Sequence, residues 1–159
     1  VLHDPKLVIL DEPFSGLDPV NSEIIKQEIF QLSAQGTTVI FSTHRMEQVE
    51  EICEDIALIH QGKVILEGNV PEIKQRFKQH RFRLEVQGDL QGFDDLIVER
   101  NGPVYEFQFN GQGDSERVLR YCLDHHLPIT SFQELLPSLH EIFIRQVEGS
   151  AVRQFQPVS

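Results

Sequence analysis

The first eighty residues alternate between strand-like and helix-like patterns of hydrophobic and polar positions. The apolar run Leu7–Leu10 predicts a strand, and a β-rich run at Thr37–Phe41 predicts a second one. Between them, apolar residues recur at helical spacing from Pro19 to the helix-stopping Gly36; they are Ile24, Ile25, Ile29 and Leu32. A strand, a helix and a further strand in succession predict a parallel βαβ unit.

Shorter patterns fill the rest of the chain. They predict a helix at 46–53, a hairpin of strands 56–60 and 64–67, a helix at 71–78, a strand at 82–86, a hairpin of strands 97–99 and 104–109, a helix at 115–126, a strand at 129–132 and a helix at 137–147. The predicted fold class is therefore α/β: a parallel sheet over residues 1–79, a second, smaller α+β domain over residues 80–148, and a flexible tail at 149–159.

Two adjacent carboxylates, Asp11 and Glu12, follow the first apolar run directly. An uninterrupted run of this kind predicts a strand that is buried on both faces of a parallel sheet. Unpaired charges are too costly to continue into such a core, so both acids should lie at the end of the strand, where open α/β sheets bind their ligands. His44 follows the second strand, and we expect it at the same edge of the sheet.

The composition narrows the choice of partners. The net charge is −11, with 7 basic and 13 acidic residues in 1–80 and 7 basic and 12 acidic residues in 81–159. This acidity argues against nucleic acid as the main partner. Half of the residues in Lys74–Arg83 are basic, which fits either a contact with a partner or anionic membrane, or a solvated helix end and linker. Cys53 and Cys122 are interpreted as free thiols.

The residues at the strand end suit phosphoryl transfer. Successive side chains leave a strand in opposite directions, so Asp11 and Glu12 can serve different targets. In such a site one acid holds the Mg²⁺ shell while another group orients and deprotonates the attacking water. Any one of these residues alone would be interpreted as a cap or a surface charge. Asp11, Glu12, Asp18 and His44 together favour a site.

The stretch LVILDEPFSGLDP, followed by Ser42-Thr43-His44 beginning 31 residues after Asp11, closely resembles the second half of an ATP-binding cassette (ABC) ATPase. LVILDE is similar to its Walker B motif, SGLD to its D-loop and STH to its switch-histidine loop. The resemblance covers about residues 1–78. It implies that this part is the C-terminal portion of a P-loop NTPase sheet.

The resemblance also implies roles for single residues, with ATP and Mg²⁺ as cofactors. Asp11 would coordinate Mg²⁺ through water, and Glu12 would be the general base for ATP hydrolysis. His44 would contact the γ-phosphate. The D-loop residues Ser15, Gly16 and Asp18 would face the nucleotide and the opposing subunit of a dimer.

Three motifs of that family are missing from the sequence. No G-x-x-x-x-G-K-S/T phosphate-binding loop occurs, nor a Q-loop or an LSGGQ-like signature. All three precede Walker B in the family, so we expect this chain to be a fragment that starts just after the signature helix and is inactive alone.

Residues 80–148 resemble the C-terminal extension of ABC ATPases that serve export-type permeases, with SLHEIF at 138–143 as the matching pattern. The implied function is the ATP-hydrolysing subunit of an export-type ABC transporter. Its partners would be a membrane-spanning permease and a second ATPase subunit, and it would be peripheral at the cytoplasmic face of the cell membrane. Two alternatives stay open: a non-catalytic regulatory or dimerisation module, and part of a non-transport ABC ATPase.

Overall fold

The structure, a computed structural model, describes residues 5–111 and 113–154. Its elements in chain order are β1 (Leu7–Asp11), α1 (Pro19–Ala34), β2 (Thr38–Ser42), α2 (Met46–Ile52), β3 (Asp55–His60), β4 (Lys63–Asn69), α3 (Val70–Arg76), β5 (Arg81–Val86), β6 (Ile97–Asn101), β7 (Val104–Gln108), α4 (Asp114–Asp124), β8 (Ile129–Leu135) and α5 (Leu139–Gln154). The predicted α/β class is confirmed, and every predicted helix and strand is present.

The described residues form two compact units. One contains the chain up to Pro71 together with the residues from Leu139 onward, and the other is Glu72–Ser138. These units group α5 with the first part of the chain, whereas the sequence predicts it as the end of the second domain. The predicted boundaries at 79/80 and 148/149 stay a prediction. Helix α5 extends to Gln154, beyond the predicted end at Val147, and residues 155–159 of the predicted tail lie outside the described residues.

In the first unit, β1 and β2 form a parallel pair in which Asp11 lies opposite Ser42. Helix α1 joins them. Asp18 caps its N-terminus by accepting hydrogen bonds from the backbone N–H groups of Val20 and Asn21, and Gly36, with φ of +88°, follows its C-terminus. Both predicted ends of this helix are therefore confirmed.

The prediction that β1 is buried on both faces is wrong for the described chain. The side chain of Ile9 is 71% exposed and that of Ile40, its neighbour on β2, is 53% exposed. The sheet has only these two strands, and in the part of the chain that the structure describes no element covers this face. Parallel sheets are normally covered on both faces, so the apolar run suits a strand whose exposed face is covered by another element.

Strands β3 and β4 of this unit form an antiparallel hairpin that turns at Gln61-Gly62. Both residues have positive φ angles, +48° and +73°, which is the requirement of a type I′ turn. Helix α2 packs on α5, and the Glu50 side chain accepts a hydrogen bond from the backbone N–H of Leu139, the first residue of α5. An acid at a helix N-terminus satisfies an otherwise free donor and complements the helix dipole.

The unit Glu72–Ser138 is built on an antiparallel sheet of strand order β6-β7-β5-β8. Apolar side chains from one face of this sheet pack with two residues of α4, and the fully buried members are Leu84, Val86, Tyr105, Phe107, Val118 and Cys122. The Tyr105 hydroxyl donates to the backbone oxygen of Gly88, so the one polar atom of that ring has a partner. The unit thus combines an antiparallel sheet with helix α4, while the predicted α+β domain of residues 80–148 stays a prediction.

None of the helices within residues 5–111 and 113–154 combines the length and the apolar character needed to cross a membrane.

Candidate functional site

The candidate site lies where β1 and β2 end. The parallel register places Asp11 opposite Ser42, and the backbone N–H of Glu12 donates to the Ser42 carbonyl oxygen over 2.9 Å. Beyond these residues both strands continue into loops. The predicted meeting of Asp11, Glu12 and His44 at one sheet edge is therefore what the structure shows.

Glu12 and His44 are in direct contact. The His44 ring atom Nδ1 lies 2.6 Å from Glu12 Oε1, and the His44 backbone N–H donates to the same oxygen over 3.0 Å. The His44 side chain is 77% exposed and that of Glu12 is 34% exposed. The pair therefore stands at the surface, open to a ligand on the side that the sheet leaves free.

The pKa of Glu12 lies below its ordinary value. The hydrogen bond with the His44 ring is the main cause; burial opposes it, and bonds from the Thr43 hydroxyl and the His44 backbone lower the pKa further. Glu12 is therefore ionised at neutral pH and can accept a proton.

Glu12 itself adopts a left-handed backbone conformation, with φ of +46°. Such a φ is uncommon for a residue other than glycine and is held only where neighbouring contacts determine it. Here the bond from Glu12 N to the Ser42 oxygen and the bond from Ser15 N to the Glu12 oxygen, each 2.9 Å, fix the peptide on both sides. Glu12 is one of four non-glycine residues with positive φ in the described chain, and it is also a residue that the sequence predicts to do chemistry.

Asp11 receives a hydrogen bond from the hydroxyl of Ser42. Carboxylate and hydroxyl oxygens are hard donors of the type that Mg²⁺ prefers, and this ion is usually held by one or two carboxylates, waters and substrate phosphates. The described residues contain no group of three or more His, Cys, Asp or Glu side chains that could hold a metal by themselves. The donor set at Asp11 thus fits Mg²⁺ bound together with a nucleotide.

The remaining predicted residues form the loop between β1 and α1. Ser15 and Gly16 are exposed, and Gly16 has a φ of +75°, a conformation that suits glycine. Both carboxylate oxygens of Asp18 are engaged by the first turn of α1, which lowers the pKa of Asp18 chiefly through the backbone bond from Asn21. Asp18 lies only a few residues from Asp11 and Glu12 along the chain. Its hydrogen bonds in the described chain, however, come from the first turn of α1.

Sequence reasoning missed the roles of Ser42 and Thr43, which it recorded only as part of the STH string. Thr43 donates from its hydroxyl to Glu12 Oε2 over 3.1 Å. The signal was present in the pairing of the two strand ends, because a parallel register that sets Asp11 beside Ser42 sets Glu12 beside the next residue.

The basic run Lys74–Arg83 is largely paired within its own unit. Arg81 and Arg83, which belong to β5, reach the Glu106 carboxylate over 2.8 and 2.7 Å, and Lys78 lies 3.5 Å from Glu134. Part of the run is therefore a strand rather than a linker, and three of its five basic side chains pair with two acids of the same unit.

The comparisons with known proteins agree with these motifs. Residues 68–147 match the family described as "ATP-binding protein DrrA1-3-like, C-terminal domain". The "Uncharacterized ABC transporter ATP-binding protein YhaQ" of Bacillus subtilis is 36% identical over 151 residues, which are 92% of this chain and 50% of that protein. The fluoroquinolones export ATP-binding protein of Mycobacterium tuberculosis is 32% identical over 144 residues, which are 91% of this chain and 44% of that protein.

Among solved structures, an ATP-binding subunit of an ABC transporter aligns with 46% of this chain and 31% of its own length, at 32% identity and a TM-score of 0.44. The chain spans about half the length of the curated relatives that it matches. With its family match over half of the sequence and its relatives over more than nine tenths of it, the chain belongs to the ABC transporter ATP-binding proteins that carry a DrrA1-3-like C-terminal domain.

Proposed function

We propose that this chain forms the C-terminal half of a subunit that hydrolyses ATP to drive an export-type ABC transporter. The contact of 2.6 Å between Glu12 and His44, beside Asp11 at the carboxyl end of a parallel strand pair, is the observation that carries the proposal. The phosphate-binding loop and the signature motif would be supplied by residues preceding this chain in the complete polypeptide.

In this proposal Asp11 holds Mg²⁺ through water, with Ser42 fixing its carboxylate. When bound, Mg²⁺ neutralises charge on the phosphate oxygens as the terminal phosphoryl group is transferred. Asp11 is suited to this role because it is exposed and has an oxygen that Ser42 does not occupy.

Glu12 would take the proton of the attacking water. Its carboxylate is ionised, half-buried and anchored by donors from Thr43 and His44, so it faces one direction rather than sampling many. His44 would contact the γ-phosphate through the ring nitrogen that Glu12 does not hold. Such an arrangement stabilises the transferred group by position and charge.

The loop residues Ser15, Gly16 and Asp18 would form the contact with a second ATP-binding subunit, so that one nucleotide is shared between two chains. The other partner would be a membrane-spanning permease, which would hold this subunit as a peripheral protein at the cytoplasmic face of the membrane. The relative named for fluoroquinolone export supports an export-type permease. Residues 1–79 would belong to the ATPase domain, 80–148 to the extension and 149–159 to a tail.

The decisive experiment replaces Glu12 in the full-length subunit that contains this chain. Glu12→Gln keeps the size of the side chain but replaces one accepting oxygen with an NH2 group, which removes the base. We expect ATP hydrolysis to fall by a factor of roughly 10² or more while ATP binding stays within about twofold. Glu67→Gln, an exposed acid on β4, is the matched control and should hydrolyse at the parental rate.

A second candidate is a non-catalytic regulatory or dimerisation module, favoured by the absence of a phosphate-loop string from this sequence. Hydrolysis at the parental rate in the Glu12→Gln subunit would remove the first proposal and leave this one.

A further inference from the structure

Two neighbouring hydroxyls at the end of β2 hold the two neighbouring acids at the end of β1. Ser42 donates to Asp11 and Thr43 donates to Glu12 Oε2. The parallel ladder ends with the pair Asp11 and Ser42, and Glu12 lies beside Thr43 one residue beyond it. The roles predicted from the sequence do not include the bond from Thr43 to Glu12.

The two oxygens of the Glu12 carboxylate are held differently. Oε1 receives both bonds from His44, whereas Oε2 receives its bond from the Thr43 hydroxyl. The last torsion of a glutamate side chain is broad and nearly free. A carboxylate fixed through one oxygen can therefore turn about that torsion, and a donor at the second oxygen stops the rotation.

The Thr43 hydroxyl is itself oriented. The backbone N–H of Arg45 donates to Thr43 Oγ1 over 3.2 Å, which occupies one lone pair. Its single proton has two acceptors within reach, Glu12 Oε2 at 3.1 Å and Gln48 Oε1 at 3.4 Å. The nearer and charged acceptor makes the stronger bond, so the proton points to Glu12. The β-branched side chain adds stiffness at its first torsion.

We propose that Thr43 is a positioning residue that fixes the plane of the Glu12 carboxylate, so that Oε2 presents a lone pair to the attacking water. The inference rests on the proposed role of Glu12 as the base. Thr43 touches neither the nucleotide nor the water in this account and acts only through Glu12.

The test compares three variants in the full-length subunit. Thr43→Val removes the hydroxyl and keeps the shape, Thr43→Ser keeps the hydroxyl, and Thr37→Val is the matched control. Thr37 precedes β2 at its other end, is likewise half-buried, and uses its hydroxyl to donate to the Pro5 carbonyl oxygen over 3.0 Å. Thr37→Val thus measures the structural cost of losing one hydroxyl beside this strand.

We expect Thr43→Val to lower kcat by about 10- to 100-fold with KM for ATP within about twofold of the parent. Thr43→Ser should restore most of that loss, and Thr37→Val should leave kcat unchanged. The thermal midpoints of the two valine variants should fall by similar amounts, which separates orientation from folding. If the valine variant does not fold, Thr43→Ala takes its place in the same comparison.

Several results would overturn the inference: parental kcat in Thr43→Val, an equal loss of kcat in Thr37→Val, a rise in KM at constant kcat, or no recovery in Thr43→Ser. Glu12→Gln, measured beside them, separates the two proposals. An inactive Glu12→Gln with an unaffected Thr43→Val removes the role of Thr43 alone, whereas an active Glu12→Gln removes the proposed function.

Discussion

Replacing Phe107 should destabilise the unit Glu72–Ser138 by a predictable amount. Phe107 is fully buried, and its ring lies 5.4 Å from that of Phe109 and 6.3 Å from that of Tyr105. Burying a phenylalanine contributes about 1.5–3 kcal/mol by transfer alone. The cavity left by Phe107→Ala raises the expected loss of unfolding free energy to about 3–5 kcal/mol. Phe107→Leu leaves a smaller cavity and should cost about 1–2 kcal/mol.

Tyrosine fluorescence during urea unfolding of the 159-residue chain measures this loss selectively. The chain has no tryptophan, and its two tyrosines, Tyr105 and Tyr121, both belong to the unit that contains Phe107. At about 1 kcal/mol per molar urea, the alanine variant should lower the midpoint by roughly 3–5 M or unfold the unit outright. If the alanine variant is unfolded without urea, Phe107→Leu still gives a midpoint that can be compared with that of the parent.

Leu123→Ala is the matched control, because Leu123 lies on α4 of the same unit with 67% of its side chain exposed. Its substitution should change stability by less than about 0.5 kcal/mol. A loss below about 1 kcal/mol for Phe107→Ala, or equal losses for Phe107→Ala and Leu123→Ala, would refute the packing on which the prediction depends.

Two further predictions concern helix caps. Asp18→Asn should weaken the acid-limb pH dependence of α1 stability seen by circular dichroism: the lowered pKa of Asp18 makes its contribution complete above the ordinary aspartate range and lost as pH falls through the folded-state pKa. Glu23 on the same helix also has a lowered pKa and should keep its own part of the dependence. An unchanged pH dependence in the variant would contradict the assignment. Glu50→Ala should cost about 1 kcal/mol in urea unfolding followed by circular dichroism, because the first N–H of α5 loses its acceptor, whereas Glu54→Ala, an exposed acid nearby, should cost less than about 0.5 kcal/mol.

Local chemistry made most of the fold predictable from the sequence. Asp18 before Pro19 marks the start of α1, and Gly36 marks its end, because capping and positive φ restrict which residues can stand there. The hairpin at Gln61-Gly62 follows from the same reasoning. The hairpin predicted from strands 97–99 and 104–109 is also present, with Gly102 and Pro103 as its turn residues, since Asn101 pairs with Val104.

The burial of β1 could not be predicted in this way. An apolar run reports which faces suit an apolar environment, whereas exposure depends on which other elements are there to cover them. Ile9 and Ile40 remain exposed because the pair β1–β2 has no covering layer among the described residues. The sequence thus indicates that this face suits an apolar environment, which the described residues by themselves do not provide.

The chemistry of the site depends on the register of β1 and β2. Two features determine this register: the packing of apolar side chains and the hydrogen bonds at the two ends of the strand pair. Val8 and Leu10 share the half-buried face with Val39 and Phe41, while their neighbours face outward. A slip of one residue would exchange these faces and set Thr43 opposite Asp11, so that neither acid would keep its hydroxyl partner. The bond from the Thr38 N–H to the Lys6 carbonyl oxygen closes one end of the pair, and the bond from the Glu12 N–H to the Ser42 carbonyl oxygen closes the other. Residues that take no part in proton transfer thereby decide which carboxylate is held by which donor, and this is why the acids could be identified from the sequence while their positioning required the structure.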